Sequence, residues 1–173
     1  MKIEKIEVGY LRENCYVLGI GNDVLLIDPG DEADKIRKVI GKRCIKGVLI
    51  THRHFDHIGA LSSFSEYKEY SYATTEEIEY KVGPFKFKVI RTPGHKEDLI
   101  SFYFYEENAL FSGDFIFYET IGRCDLEGGS VVDMQKSIDK IKKYPPLMRI
   151  YPGHGNSTTL EHELMNNIYF KEW

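Results

Sequence analysis

Cysteine is scarce and scattered: Cys15, Cys44 and Cys124 stand far apart, and none belongs to a C-x-x-C pair. An odd, widely spaced set excludes a disulfide-stapled secreted scaffold and points to a reduced, cytoplasmic compartment. Cys15 and Cys44, in or near strand segments, read as small buried hydrophobes. Long apolar runs are missing as well. The longest, such as VLLI at 24–27, fall far short of the roughly 20 residues that cross a bilayer, so no membrane association is expected. The amino terminus, MKIEKIEVGY, alternates charged and apolar residues and has no apolar h-region, so it does not read as a signal peptide. No Lys/Arg-rich block stands out, and 23 basic against 27 acidic residues give a net charge of −4. Clustered positive charge is what phosphate backbones require, so no nucleic-acid partner is expected. There is no internal repeat, low-complexity tract or linker. One domain over residues 1–173, long enough to enclose a core, is the expected organisation.

What is present alternates between strand and helix signals. KIEKIEVG, NCYVLGI and DVLLIDPG read as strands, the last two joined at Gly21-Asn22-Asp23. DEADKIRKVIGK opens with acidic residues and puts Ile36, Val39 and Ile40 on one face, as a helix does. IKGVLIT is a short buried strand, followed by a helix expected from about Ile58 to Phe64. KEYSYAT, EIEYKVG, FKFKVIRT, LISFYFYEE and NALFSGD read as strands. VVDMQKSIDKIKKY reads as a helix, MRIYPG as a strand, and a last helix is expected from about Ser157. Strands inside and helices outside favour a layered α/β fold.

Against this plain background one stretch is dense. THRHFDH, residues 51–57, holds His52, His54 and His57, half of the six histidines in the chain, together with Asp56. A lone histidine in a polar loop is usually solvated, but this density serves no packing purpose. His95 in RTPGH, Asp114 in FSGD and His154 in IYPGHG stand at the ends of three further strand segments, each marked by Gly or Pro. Neutral imidazoles and carboxylates are good ligands for zinc, iron or manganese. In extended chain alternate side chains share a side, so His52 and His54 can grip one ion, while Asp56 and His57 are offset toward a second.

In this order THRHFDH, TPGH, SGD and YPGHG resemble the motifs of the metallo-β-lactamase superfamily, and NCYVL…LLIDPG resembles its first strands. The resemblance implies a four-layer αββα sandwich with a two-metal site at the edge where strands end. It implies two divalent ions, zinc foremost, with iron or manganese as the other candidates. His52, His54 and His95 would hold the first ion, Asp56, His57 and His154 the second, and Asp114 would bridge them. GRCDLEGG, residues 122–129, and GHGNSTTLEHELMNNIYF after it resemble small hydrolases related to glyoxalase II, which cleave thioesters such as S-lactoylglutathione. Two features differ from those relatives. The sequence stops at Trp173, without their helical carboxy-terminal substrate domain, and Lys96, Glu97 and Asp98 replace small residues and proline.

The expected chemistry is hydrolysis of a small-molecule acyl thioester by a metal-bridging hydroxide, since paired cations lower the pKa of a bound water to about 7. Asp56 is expected to act catalytically, both as ligand and as acceptor for that hydroxide. Thiols ionise near pH 8.5 and leave without a proton donor, which favours a thioester over a lactam. Arg123, after the bridging aspartate, is a candidate contact for a substrate carboxylate or a partner of Asp125. Asp28, closing DVLLIDPG, could orient a ligating histidine or merely close its turn. Phe115, Phe117 and Tyr118 could wall a pocket but fit core positions better. His162, between Glu161 and Glu163, reads as solvated. Two other reactions share the resemblance: a mononuclear iron persulfide dioxygenase using His52, His95 and Asp114, and, less favoured, a nuclease or phosphodiesterase.

Overall fold

Alternation along the strands decides the layering. In β3 (Asp23–Ile27), Leu25 and Ile27 point to one side and Val24 and Leu26 to the other, yet all four are buried. A strand buried on both faces needs cover on both. The computed structural model, which describes residues 1–173, supplies it with two sheets face to face and helices outside each.

The first sheet contains β1 (Lys2–Val8), β2 (Glu13–Ile20), β3, β4 (Cys44–Leu49) and β5 (Glu69–Tyr70), in that order. Helix α1 (Ala33–Ile40) and a 3₁₀ turn at Leu61–Phe64 cover its outer face through Ile36, Ile40 and Phe64. A short helix, α2 (Phe55–Ile58), precedes that turn. The second sheet is built from β6 (Glu79–Val82), β7 (Phe85–Arg91), β8 (Ile100–Phe104) and β9 (Ala109–Gly113). After a small hairpin of β10 (Ile116–Phe117) and β11 (Thr120–Ile121) and helix α3 (Val131–Ile141), β12 (Arg149–Pro152) and β13 (Thr158–Thr159) complete it. α3, α4 (Leu160–Asn166) and α5 (Ile168–Glu172) cover its outer face through Met134, Ile138, Leu160 and Phe170. Between the sheets lie Leu18, Leu25, Phe87, Phe102, Phe104 and Phe111. This is the αββα sandwich expected from the sequence.

Three local expectations change. The helix expected from Ile58 begins earlier, at Phe55, so Asp56 and His57 stand on a helical turn rather than on extended chain. KEYSYAT pairs only over Glu69–Tyr70, because Ser71 and Thr74 close a turn in which Ser71 N donates to Thr74 Oγ1. The last helical segment starts at Leu160, since Thr158 and Thr159 pair with β12 and Thr159 Oγ1 then caps His162 N. Cys15 is buried as expected, but Cys44, the first residue of β4, is exposed.

Two backbone hydrogen bonds join the halves at one edge. Asn14 N donates to Gly153 O at 2.7 Å, and Ile100 N donates to Thr51 O at 2.9 Å. The strand ends that carry the polar motifs meet at this seam.

Candidate metal centre

Parallel pairing explains why residues distant in sequence converge. β3 and β4 run side by side with Ile27 opposite Leu49, so Asp28 leaves its strand beside Thr51 and the motif that follows. β9 and β12 are also parallel, and Gly153 N donates to Gly113 O, so Asp114 and His154 leave the sheet as neighbours. β7 ends nearby and delivers His95 through the Pro93-Gly94 turn.

Of the seven side chains singled out above, His52, His57, His95 and Asp114 are buried, and His54, Asp56 and His154 are partly so. His52 Nε2 and His95 Nε2 face His54 Nδ1 at 3.1 and 2.9 Å. Asp114 stands between the halves: Oδ1 is 3.2 Å from His57 Nε2, while Oδ2 is 3.5 Å from His95 Nε2 and 3.6 Å from His154 Nε2. Asp56 Oδ2 is 3.2 Å from His154 Nε2. Four overlapping sets have donor atoms all within 4.8 Å of one another: His52–His54–His95, His52–His57–Asp114, Asp56–His57–His154 and, behind the His57 ring, Glu13–Asp28–His57.

The imidazoles are aimed from behind. His95 Nδ1–H donates to Arg123 O at 2.8 Å and His154 Nδ1–H to Leu11 O at 3.2 Å. His52 Nδ1 lies 3.1 Å from Thr51 Oγ1, and His57 Nδ1 lies 2.9 Å from Asp28 Oδ2. Asp28 has a left-handed backbone, φ 46, a strained conformation outside glycine. Its carboxylate accepts Thr51 N and Thr51 Oγ1 at 2.8 and 2.6 Å besides facing His57. An outer partner on one ring nitrogen fixes the other toward the centre. Asp28 thus faces the His57 ring besides closing its turn.

The electrostatics follow the same geometry. Burial pulls the His57 imidazole down, but Asp114 and Asp28 outweigh it and hold it well above the usual histidine range. Burial likewise would raise Asp114, but His57 beside it holds it well below the ordinary carboxylate range. His52 is pushed down, by burial first and by the neighbouring His57 next. His57 Nε2 and Asp114 Oδ1 are nonetheless buried with no hydrogen-bond partner. One buried imidazole nitrogen and one buried carboxylate oxygen without hydrogen-bond partners, set among other imidazoles, are the donor set a divalent ion satisfies. The residues present fit such ions. Gly153 leaves the room: a Cβ there would stand 2.6 Å from His57 Cε1 and collide with Asp114.

The centre opens into a mouth lined by Leu11, Phe55, Arg123 and Leu126 around His54, Asp56, His95, Asp114 and His154. Arg123 Nε and Nη2 each donate to Asp125 at 2.7 Å, the ion pair that was one of its two sequence alternatives, and its side chain also lines the mouth. Phe115 is core, Phe117 is half-buried with its ring 6.1 Å from that of His154, and Tyr118 is exposed and stacked on His162. His162 also meets Glu119 at 2.9 Å, so it is partnered rather than simply solvated. Sequence reasoning passed over Thr51, Leu11, Phe55 and Glu13. Only Glu13 carried a signal, a charge opening a strand that is otherwise apolar.

Sequence comparison agrees with the geometry. The family model described as Metallo-beta-lactamase superfamily matches residues 8–86 and 68–154. The chain belongs to the metallo-β-lactamase superfamily, as one of its metal-dependent hydrolases, with a His/Asp cluster for two metal ions. A probable metallo-hydrolase of Streptococcus pyogenes is 30% identical, over 98% of this chain and 90% of its own length. A probable polyketide biosynthesis zinc-dependent hydrolase of Bacillus subtilis, PksB, is 27% identical, over 91% of this chain and 81% of its own. Among solved structures, the B3 metallo-β-lactamase BLEG-1 superposes with a TM-score of 0.93 at 28% identity, covering 98% of this chain and 99% of that one. TTHA1623 in a di-iron-bound form gives 0.87 at 30% identity, covering 96% and 99%. No helix is long and apolar enough to cross a membrane.

Proposed function

We propose that this chain hydrolyses small acyl thioesters of the hydroxyacylglutathione type. In this reading His52, His54 and His95 would hold one ion, Asp56, His57 and His154 would hold the other, and Asp114 would serve both. Divalent ions bound there would supply an activated water and charge stabilisation at a carbonyl oxygen. A zinc-dependent relative and a di-iron neighbour support either metal, and imidazole donors suit both.

The protein's own groups do the rest. Asp56 belongs to the second set and also lines the mouth, so its carboxylate can accept a hydrogen bond from the attacking water and turn a lone pair toward the substrate. Leu11, Phe55 and Leu126 shield the acyl group from solvent. Arg123 keeps its Nη1 edge unpaired and can meet a carboxylate on the thiol carrier. The water oxygen bonds to the carbonyl carbon as its proton passes to the Asp56 carboxylate, the C–S bond breaks, and its electron pair leaves with the sulfur as thiolate.

The lining of the mouth carries the choice of thioester. Its one polar side chain outside the donor sets is Arg123, and a guanidinium does not give up a proton. An amine leaving group would lack a dedicated acid, whereas a thiolate needs none. The test is to quantify the metals of the purified protein and assay S-lactoylglutathione beside simpler acyl thioesters and a β-lactam. Thioester turnover with about two ions per chain is the expected result. Faster β-lactam turnover, or one ferrous ion with oxygen uptake on glutathione persulfide, would overturn it.

A further inference from the structure

Glu13 is the first residue of β2 and is fully buried, yet neither carboxyl oxygen has a hydrogen-bond partner. Its Oε1 lies 3.7 Å from His57 Nδ1, on the side of the ring already held by Asp28. Its backbone forms an isolated bridge with His154, and the next residue, Asn14, donates to Gly153 O. Gly30 makes the space: a Cβ there would stand 2.7 Å from Glu13 Oε2 and overlap the backbone carbonyl of Asp56. One residue thus touches or adjoins the whole Asp56–His57–His154 set. Glu13, Asp28 and His57 place donor atoms within 4.8 Å of one another, so two carboxyls stand behind the same ring. A buried group behind a ligating imidazole fixes which way its other nitrogen faces.

We propose that Glu13 is a positioning residue for the second ion alone, backing His57 and the Asp56–His57–His154 set while the His52–His54–His95 set is independent of it. The proposal rests on the two-ion reading above. Outer groups that orient a ligating histidine change metal affinity by about 10- to 100-fold.

The test uses the metal-free 173-residue chain and two variants, Glu13→Gln, which keeps the shape, and Glu13→Met, which removes the buried polar group. Stepwise zinc affinities come from competition with a chromophoric chelator, and cobalt titrations read each site by its visible absorption. The expected result is a loss of about 10- to 100-fold in the second affinity, an unchanged first affinity and delayed or absent second-site cobalt bands. Metal-free Glu13→Met should melt at or above the wild-type temperature. Variants that bind both ions like wild type overturn the proposal. So do equal losses at both sites, or metal-free variants that both melt lower or fail to fold, since Glu13 would then serve the fold. A wild-type chain that takes a single ion overturns the two-ion reading and the proposal together.

Discussion

Asp56 and His57 are adjacent in sequence but stand in different surroundings. Asp56 is partly exposed at the mouth, and His57 is sealed between Asp28 and Asp114. An Asp56→Ala variant should stay folded by circular dichroism and lose thioester turnover by roughly 10²- to 10⁴-fold, the range for a positioned proton acceptor. Turnover within a few-fold of wild type would remove Asp56 from the mechanism. His57 makes a different prediction, through pH. Its folded pKa is raised, so the metal-free protein still carries the proton where a free imidazole near 6.5 has lost it. A ligating imidazole must be neutral, so zinc uptake at pH 7 should expel that proton. His52, with its pKa lowered, is already neutral and releases none. Calorimetric titrations in two buffers of different ionisation enthalpy will show whether protons leave. Release should vanish as the pH rises above the His57 value.

At the scale of elements, turns and strand ends aim these side chains. β12 ends at Pro152, and Gly153 lets the chain pass close under Asp114 and His57. Gly153→Ala has no room for its methyl group, so metal stoichiometry should fall while the far end of the sandwich stays intact by hydrogen exchange. Helix α3 offers a control at a side chain that belongs to no donor set. Ser130 Oγ accepts Asp133 N at its first turn, so Ser130→Ala should reduce urea stability by about 1 kcal/mol with kcat unchanged. The elements themselves were largely legible. Strand alternation and the apolar face of α1 mark the sandwich before any coordinates, because burial on defined faces leaves a period in the chain. Short elements were harder. α2 is one turn over FDHI, and nothing in its composition separates a turn of helix from extended loop.

At the scale of the whole molecule, the centre sits where two sheets meet, tied by Asn14 to Gly153 and Ile100 to Thr51. Ions bound across that seam hold both halves, so they should stabilise the whole fold. Chelation should lower the melting temperature, with a loss of about 2.7 kcal/mol for each ion relative to that ion at a hundred times its dissociation constant. A melting temperature insensitive to chelation and to added zinc would count against ligands drawn from both sheets.

The chain by itself determined the kinds of donor available, their order and the layered architecture, because residue type and periodicity are local properties. It could not determine which donors face one another, which ring nitrogen points inward, or that Glu13 stands behind His57. Those depend on parallel strand pairs and on a seam between sheets that bring together residues more than a hundred positions apart. Distances across such a seam are set by packing, and packing has no signature in any single stretch of sequence.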